Sequence, residues 1–153
     1  MRAVIECALG QGERTRLGAG GRPQVVRPLP EGVRYPFNYG YVEGTRVADG
    51  EEIDVFVLGP ARPPGSRLLV EVLGAVAFSD PRGEDPKLLA REVAADGGPA
   101  APAQEAVAEA AAAVADFLRR YKSATEPRTV GGLMAREAAL SLLAGARACA
   151  DGA

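Results

Sequence analysis

The order of apolar and polar positions predicts strands over the first two thirds of the chain and helices over the last third. Ala3–Leu9 sets Val4, Ile5 and Cys7 around one charged residue, Glu6, which is a strand pattern. Gln11–Pro23 is rich in Gly and Arg and reads as a turn region. Gln24–Leu29 is a short strand carrying Val25 and Val26, closed by Pro28 and Pro30. Ile53–Leu58 is almost continuously apolar, as a strand buried on both faces should be, with Asp54 the exception. Arg67–Phe78 is a long apolar run broken by Glu71 and Gly74, which predicts a bent strand or two joined ones. Leu88–Ala94 is a further strand.

Beyond an Ala/Gly/Pro-rich connector, Ala95–Ala103, the period changes. Gln104–Tyr121 places Val107, Ala110, Val114, Phe117, Leu118 and Tyr121 at helical spacing in an alanine-rich setting. Thr129-Val130-Gly131-Gly132 leads into a last helix, Leu133–Cys149, expected to pack by Leu140 and Leu143. Strands followed by helices predict an α+β fold, mainly β, or a barrel with appended helices. The 153 residues fit one domain, drawn as 1–148 with a short tail at 149–153.

Composition narrows the chemistry. The net charge of −2 provides no basic field for nucleic acid, and no tryptophan is present to stack bases. The start of the chain has no long apolar run, so neither a signal peptide nor a membrane span is expected. Cys7 and Cys149 are isolated thiols without metal-type spacing, which fits a reduced, cytoplasmic setting. The chain has no histidine, which excludes a Ser-His-Asp arrangement, a two-histidine zinc helix and any imidazole base. Chemistry here must come from carboxylates, tyrosines, cations and a metal. Of the 18 basic residues only Lys87 and Lys122 are lysine, and a lysine offers a compact mobile ammonium where arginine offers a planar fork.

Two acidic segments supply the carboxylates. Asp49 and Asp54 are five positions apart, ~16 Å on a straight strand, but Gly50 after Asp49 favours a tight turn that folds them back. Ser79–Lys87 repeats the arrangement: Asp80 and Asp85 have the same separation, again with a glycine between. Either loop alone reads as a solvated turn. Together they are four of the seven aspartates, and carboxylates so gathered repel unless cations neutralise them. Hard oxygen donors suit a small divalent cation, Mg²⁺ first, which recruits phosphate. Read alone, Arg14 and Arg16 are equally two solvated loop arginines, and the Tyr121-Lys122 pair is a common dipeptide.

Tyr35-Pro-x-Asn-Tyr-Gly-Tyr41, followed by Asp49-Gly-x-x-x-Asp54-Val, resembles the signature region of the family I soluble inorganic pyrophosphatases. Asp80-x-x-Gly-x-Asp85-x-Lys87 is similar to that family's second acidic motif, and Tyr121-Lys122 to its pair reaching the distal phosphate. The resemblance covers nearly the whole chain and implies a twisted five-stranded barrel of OB type with two packed helices. It also implies hydrolysis of pyrophosphate by metal-activated water, with two or more Mg²⁺ ions and Mn²⁺ or Co²⁺ as substitutes. Asp49, Asp54 and Asp85 would hold those ions, and Asp80 further Mg²⁺ arriving with substrate. Arg14, Arg27, Tyr39, Lys87, Tyr121 and Lys122 would bind phosphate oxygens. Tyr35 and Tyr41 would be packing residues, and Glu6 and Glu84 would stand behind the ligands. A homo-oligomer, a hexamer in the family, is implied, although the N-terminal extension of bacterial members is not in this sequence.

Two positions depart from the family pattern. Glu51 stands where the family has an aspartate that orients or deprotonates the attacking water, and Arg16 replaces an acidic residue. The expectation is a working but slow enzyme. The alternative is an impaired relative that binds phosphate or metal in a regulatory role.

Overall fold

Backbone pairing closes the apolar runs into a ring. The computed structural model describes residues 1–94, 101–123 and 125–152, so most of the expected connector, 95–100, lies outside the described residues. The elements are β1 (Arg2–Cys7), β2 (Glu13–Leu17), β3 (Pro23–Pro28), β4 (Asn38–Val42), β5 (Asp54–Leu58), β6 (Arg67–Asp80), β7 (Gly83–Glu84), β8 (Lys87–Glu92), α1 (Gln104–Arg120), β9 (Thr129–Met134) and α2 (Arg136–Asp151). The ring runs β1-β4-β5-β8-β6, and pairing of β6 back onto β1 closes it, which is the five-stranded OB-like barrel expected. The long β6 projects past the ring and carries β7 and β9 on its outer half.

The pair β5 and β8 is parallel, in register Val55↔Leu88 to Leu58↔Arg91. Its side chains alternate between two cores, which explains the unbroken apolar runs. Val55, Val57, Leu88 and Ala90 face the core that receives Ala139, Leu143 and Ala146 of α2. Phe56 and Leu89 face the one that receives Val107, Val114, Phe117 and Leu118 of α1. Because the two strands run the same way, their first residues, Asp54 and Lys87, come to the same end of the sheet.

Three expectations are corrected. Residues 11–23 hold a strand, β2, which pairs antiparallel with β3 and sets Arg14 opposite Arg27. Its alternation was hidden because Arg14 and Arg16 flank a buried threonine, Thr15, where an apolar residue would be expected. The stretch before the last helix is also a strand: β9 lies along β6 through Met134, and α2 starts only at Arg136. That helix packs by Ala139, Leu143 and Ala146, whereas Leu140 is exposed, and it runs on into the segment expected as a tail. The long run in β6 is one strand, bent by a register shift between Val72 and Gly74.

Asn38 fastens the loops around the signature. Its Oδ1 accepts the Leu9 and Arg62 amides at 3.0 and 2.9 Å, and its Nδ2 donates to the Pro60 carbonyl at 2.8 Å. The residue is fully buried. Asn38→Ala leaves all three backbone groups without that partner, so a loss of about 2 kcal/mol or more is expected in urea denaturation. An unchanged midpoint would show that the loops are held by something else.

Candidate active site

The register of β5 on β8 brings Asp54 beside Lys87, and Asp85 lies two residues before Lys87. The Lys87 ammonium consequently sits 2.6 Å from Asp54 Oδ2 and 2.6 Å from Asp85 Oδ2. Only 4% of the lysine side chain is exposed. Burial works against its charge, but Asp54 and then Asp85 more than offset this and raise its pKa. The Asp85 carboxyl is raised too: burial outweighs the pull of Lys87, and the charges of Asp54 and Asp49 add to the rise.

Around this triad opens a cleft of about 190 Å³. Six cations line it (Arg14, Arg16, Arg27, Arg82, Lys87, Lys122) together with four carboxylates (Glu51, Asp54, Asp80, Asp85), Tyr39 and Tyr121. The formal sum over those walls is +2, six minus four, in a chain whose net charge is −2. A chain of negative net charge has gathered six of its 18 basic residues here, as an anion site requires.

Two walls are braced by aromatic rings. Tyr39 stacks on Tyr35 at 5.5 Å, Tyr35 meets Phe117 at 4.7 Å, and Phe117 stacks on Tyr121 at 5.4 Å, so β4 and the end of α1 are joined by one run of rings. Arg14 lies over Tyr39 at 5.1 Å and Arg27 over Tyr121 at 5.8 Å. The Arg27 guanidinium also donates to the Tyr121 carbonyl at 3.0 Å. Arg128 donates to the carbonyls of Leu118, Arg119, Lys122, Ser123 and Glu126, which satisfies the frayed end of α1 and sets the direction of Tyr121-Lys122.

Asp49 and Glu51 approach from the β4–β5 loop. Gly50 has φ +86°, as the Asp-Gly turn predicts, and Asp49 Oδ1 accepts the Glu51 amide at 2.9 Å. Glu51 reaches the cleft. Asp49 does not line it, and instead faces a small adjoining acidic pocket with Asp80, Glu84 and Asp85. Glu6 lines another adjoining cavity with Arg14, Tyr41, Glu51 and Asp54. It is buried 3.6 Å from Arg14, and burial raises its carboxyl above the usual range while Arg14 opposes the rise. Tyr35 is buried as expected of a packing residue, whereas Tyr41 faces the cavity beside Glu6.

Among the described residues no group of three or more His, Cys, Asp or Glu side chains is spaced to hold a metal ion. The donor chemistry nevertheless suits a hard cation. Asp54 and Asp85 already share one cation, the Lys87 ammonium, and Asp49, Asp80, Glu84 and Asp85 line one small pocket beside it, so the oxygen donors are gathered where a hard cation could sit.

The sequence model of the family described as inorganic pyrophosphatase matches residues 3–149. The chain belongs to the inorganic pyrophosphatase family. The structure of an inorganic pyrophosphatase from Coxiella burnetii superposes with a TM-score of 0.85 at 32% identity, covering 97% of this chain and 94% of that one. The inorganic pyrophosphatase of Xylella fastidiosa is 42% identical over 73 residues, and that of Sulfolobus acidocaldarius 40% identical over 68. Those alignments cover 47% and 44% of this chain, and they span 41% and 39% of the two relatives.

In this family member, eleven of the residues singled out from sequence meet in the cleft: Arg14, Arg16, Arg27, Tyr39, Glu51, Asp54, Asp80, Asp85, Lys87, Tyr121 and Lys122. Asp49, Glu84 and Glu6 stand in the adjoining pockets. Sequence reasoning missed Arg82 in the cleft wall and Arg128 behind it. Arg82 had a signal, a lone cation inside an acidic loop. Arg128 had none, since its partners are backbone carbonyls.

Proposed function

We infer that this chain hydrolyses inorganic pyrophosphate to two phosphates, using divalent cations. The observation that carries the reading is the net-positive cleft whose floor is the Asp54–Lys87–Asp85 triad. Phosphate release from magnesium pyrophosphate by the full chain tests it, and no release with Mg²⁺, Mn²⁺ or Co²⁺ would overturn it.

Asp54, Asp80 and Asp85 in the cleft, with Asp49 from the adjoining pocket, would hold the cations, Mg²⁺ first. When bound, such ions neutralise diphosphate charge and acidify a nucleophilic water. The rest follows from this chain's own side chains. Arg14 and Arg27, cross-strand neighbours on β2 and β3, present two guanidinium forks from one wall. Lys122, Tyr121 and Tyr39 donate from the other sides, so that charge on equatorial and leaving oxygens is met by preorganised donors. Lys87 lines the cleft too, but its ammonium is engaged by two carboxylates, so it spaces and orients those carboxylates at least as much as it meets substrate. Glu51, exposed and free to reach across the cleft mouth, orients or deprotonates the attacking water.

Its extra methylene relative to aspartate carries a consequence. An ångström of misplacement can lower a rate on the order of a hundredfold. Glu51→Asp is expected to raise kcat about tenfold at unchanged KM. A turnover that stays the same or falls would remove the geometric explanation for slow catalysis.

The same reading assigns a homo-oligomer, a hexamer by family resemblance, in the cytoplasm. The exposed side chains of Val25, Val26, Leu69 and Leu140 support assembly, and the free thiols of Cys7 and Cys149 support a reducing compartment. No described helix is long and apolar enough to cross a membrane.

A further inference from the structure

Pro81 and Arg82 are the two turn residues between β6 and β7, whose last pair is Asp80↔Gly83. The turn aims Arg82 back over Asp80. Asp80 Oδ1 accepts the Arg82 amide at 2.9 Å, and Oδ2 lies 3.5 Å from the Arg82 guanidinium. Both carboxylate oxygens are therefore engaged by one residue. The Asp80 side chain is 12% exposed, whereas that of Arg82 is 65% exposed. Arg82 also borders three spaces: the cleft, the acidic pocket with Asp49 and Asp85, and a cavity of about 380 Å³ beside Lys122 and Arg128.

We propose that Arg82 is a substrate-binding residue that exchanges partners, serving as the counter-ion of Asp80 in the free protein and gripping a diphosphate oxygen once a divalent cation takes Asp80. This rests on the functional reading above. A cation entering at Asp80 must displace the guanidinium from Oδ2, and an exposed ion pair resists that only weakly. The released guanidinium is already at the wall of a cleft that attracts phosphate. There it gains a charge-assisted contact, bidentate where two oxygens are presented. Arg82 thus lowers cation affinity before substrate arrives and raises diphosphate affinity afterwards.

The test compares wild type with Arg82→Ala and reads two affinities by calorimetry on the full chain, without turnover. Mn²⁺ alone should bind the variant about fivefold more tightly, because the competing guanidinium is gone, the size expected of an exposed ion pair. Methylenediphosphonate, a non-hydrolysable diphosphate, should bind about tenfold more weakly in saturating Mg²⁺, the size expected of one lost charge-assisted contact. Arg82→Lys should restore the charge but not the fork, and fall between the two. If either affinity is unchanged or moves the opposite way, the exchange is overturned, since each reads one of its two states. Arg82→Gln gives the same two readings should alanine unsettle the turn. Absence of phosphate release by wild type would sink the hydrolytic reading alone, because neither affinity depends on it.

Discussion

Lys87→Met is expected to destabilise the protein by about 2–4 kcal/mol at pH 7 and to remove measurable phosphate release. Breaking a buried ion pair by deleting one partner typically costs about 3–5 kcal/mol. The lower range applies because Asp54 and Asp85 remain 21% and 19% exposed, and water screens what is left. Methionine fills much of the same volume, so the loss reports charge and not a cavity. Two carboxylates that now share an ammonium at 2.6 Å each would face one another without it.

The pH dependence has a definite sign. Without the ammonium the Asp85 carboxyl, already raised by burial, loses the partner that opposes the rise, so the penalty is present above its folded-state value and fades as pH falls through it. The variant should recover towards wild-type stability as the pH is lowered from 7. In wild type, the contribution of the raised Lys87 ammonium is fully present below its ordinary value of 10.5 and is lost only as pH climbs past the raised one. Millimolar Mg²⁺ should also restore part of the stability, since a dication can stand where the ammonium stood, but not the activity. Urea denaturation at pH 7 and at a series of lower pH values, with and without Mg²⁺, reads all of this. A variant as stable as wild type at pH 7 would show that the triad is not an anchor of the site.

Gly40→Ala is expected to prevent stable folding, or to lower stability by more than the ~1–3 kcal/mol usual for overpacking. Gly40 lies on β4 opposite Ile5 of β1. A Cβ there would overlap the Val4 carbonyl oxygen, 2.8 Å from its carbon and 3.0 Å from Ile5 Cα. All three are backbone atoms, so no rotamer change can give way. Nor can β1 shift, because it is held by β4 on one side and by β6 on the other, at the seam where the ring closes. The flanking Tyr39 and Tyr41, on the cleft and its side cavity, would move with it. Gly132→Ala is the control, since an added Cβ meets nothing within 4 Å. Thermal melting of the two variants beside wild type checks the contrast, and a Gly40→Ala melting temperature near that of the control would overturn it.

The site was legible to unequal degrees, and the differences have physical causes. Asp49, Asp54, Asp80 and Asp85 stood out because two pairs of aspartates five positions apart, each with a glycine between them and an apolar run beside them, conflict with ordinary core patterning. Lys87 and Lys122 stood out by composition, as the two lysines among 18 basic residues. The Asn38 hydrogen bonds were not legible, although the residue lay within the signature, because their partners are backbone groups 22 to 29 positions away. The strand around Thr15 was hidden by its two arginines, whose place in the cleft wall became visible only once β3 was laid alongside.

The sequence by itself determined the strand-then-helix order apart from β2 and β9, the buried faces of α1 and β5, the two acidic turns and the family. Each follows from local spacing, since periods of 3.6 and 2 residues and the φ freedom of glycine act within a few positions. The tertiary structure alone decided that Lys87 is locked between Asp54 and Asp85, that Arg14 faces Arg27 and that Arg82 covers Asp80. These depend on strand register and turn geometry, and the first of them on the parallel pairing of β5 with β8 across more than thirty residues. Local spacing sets which way a side chain points; the ladder of backbone hydrogen bonds between distant strands sets what it meets.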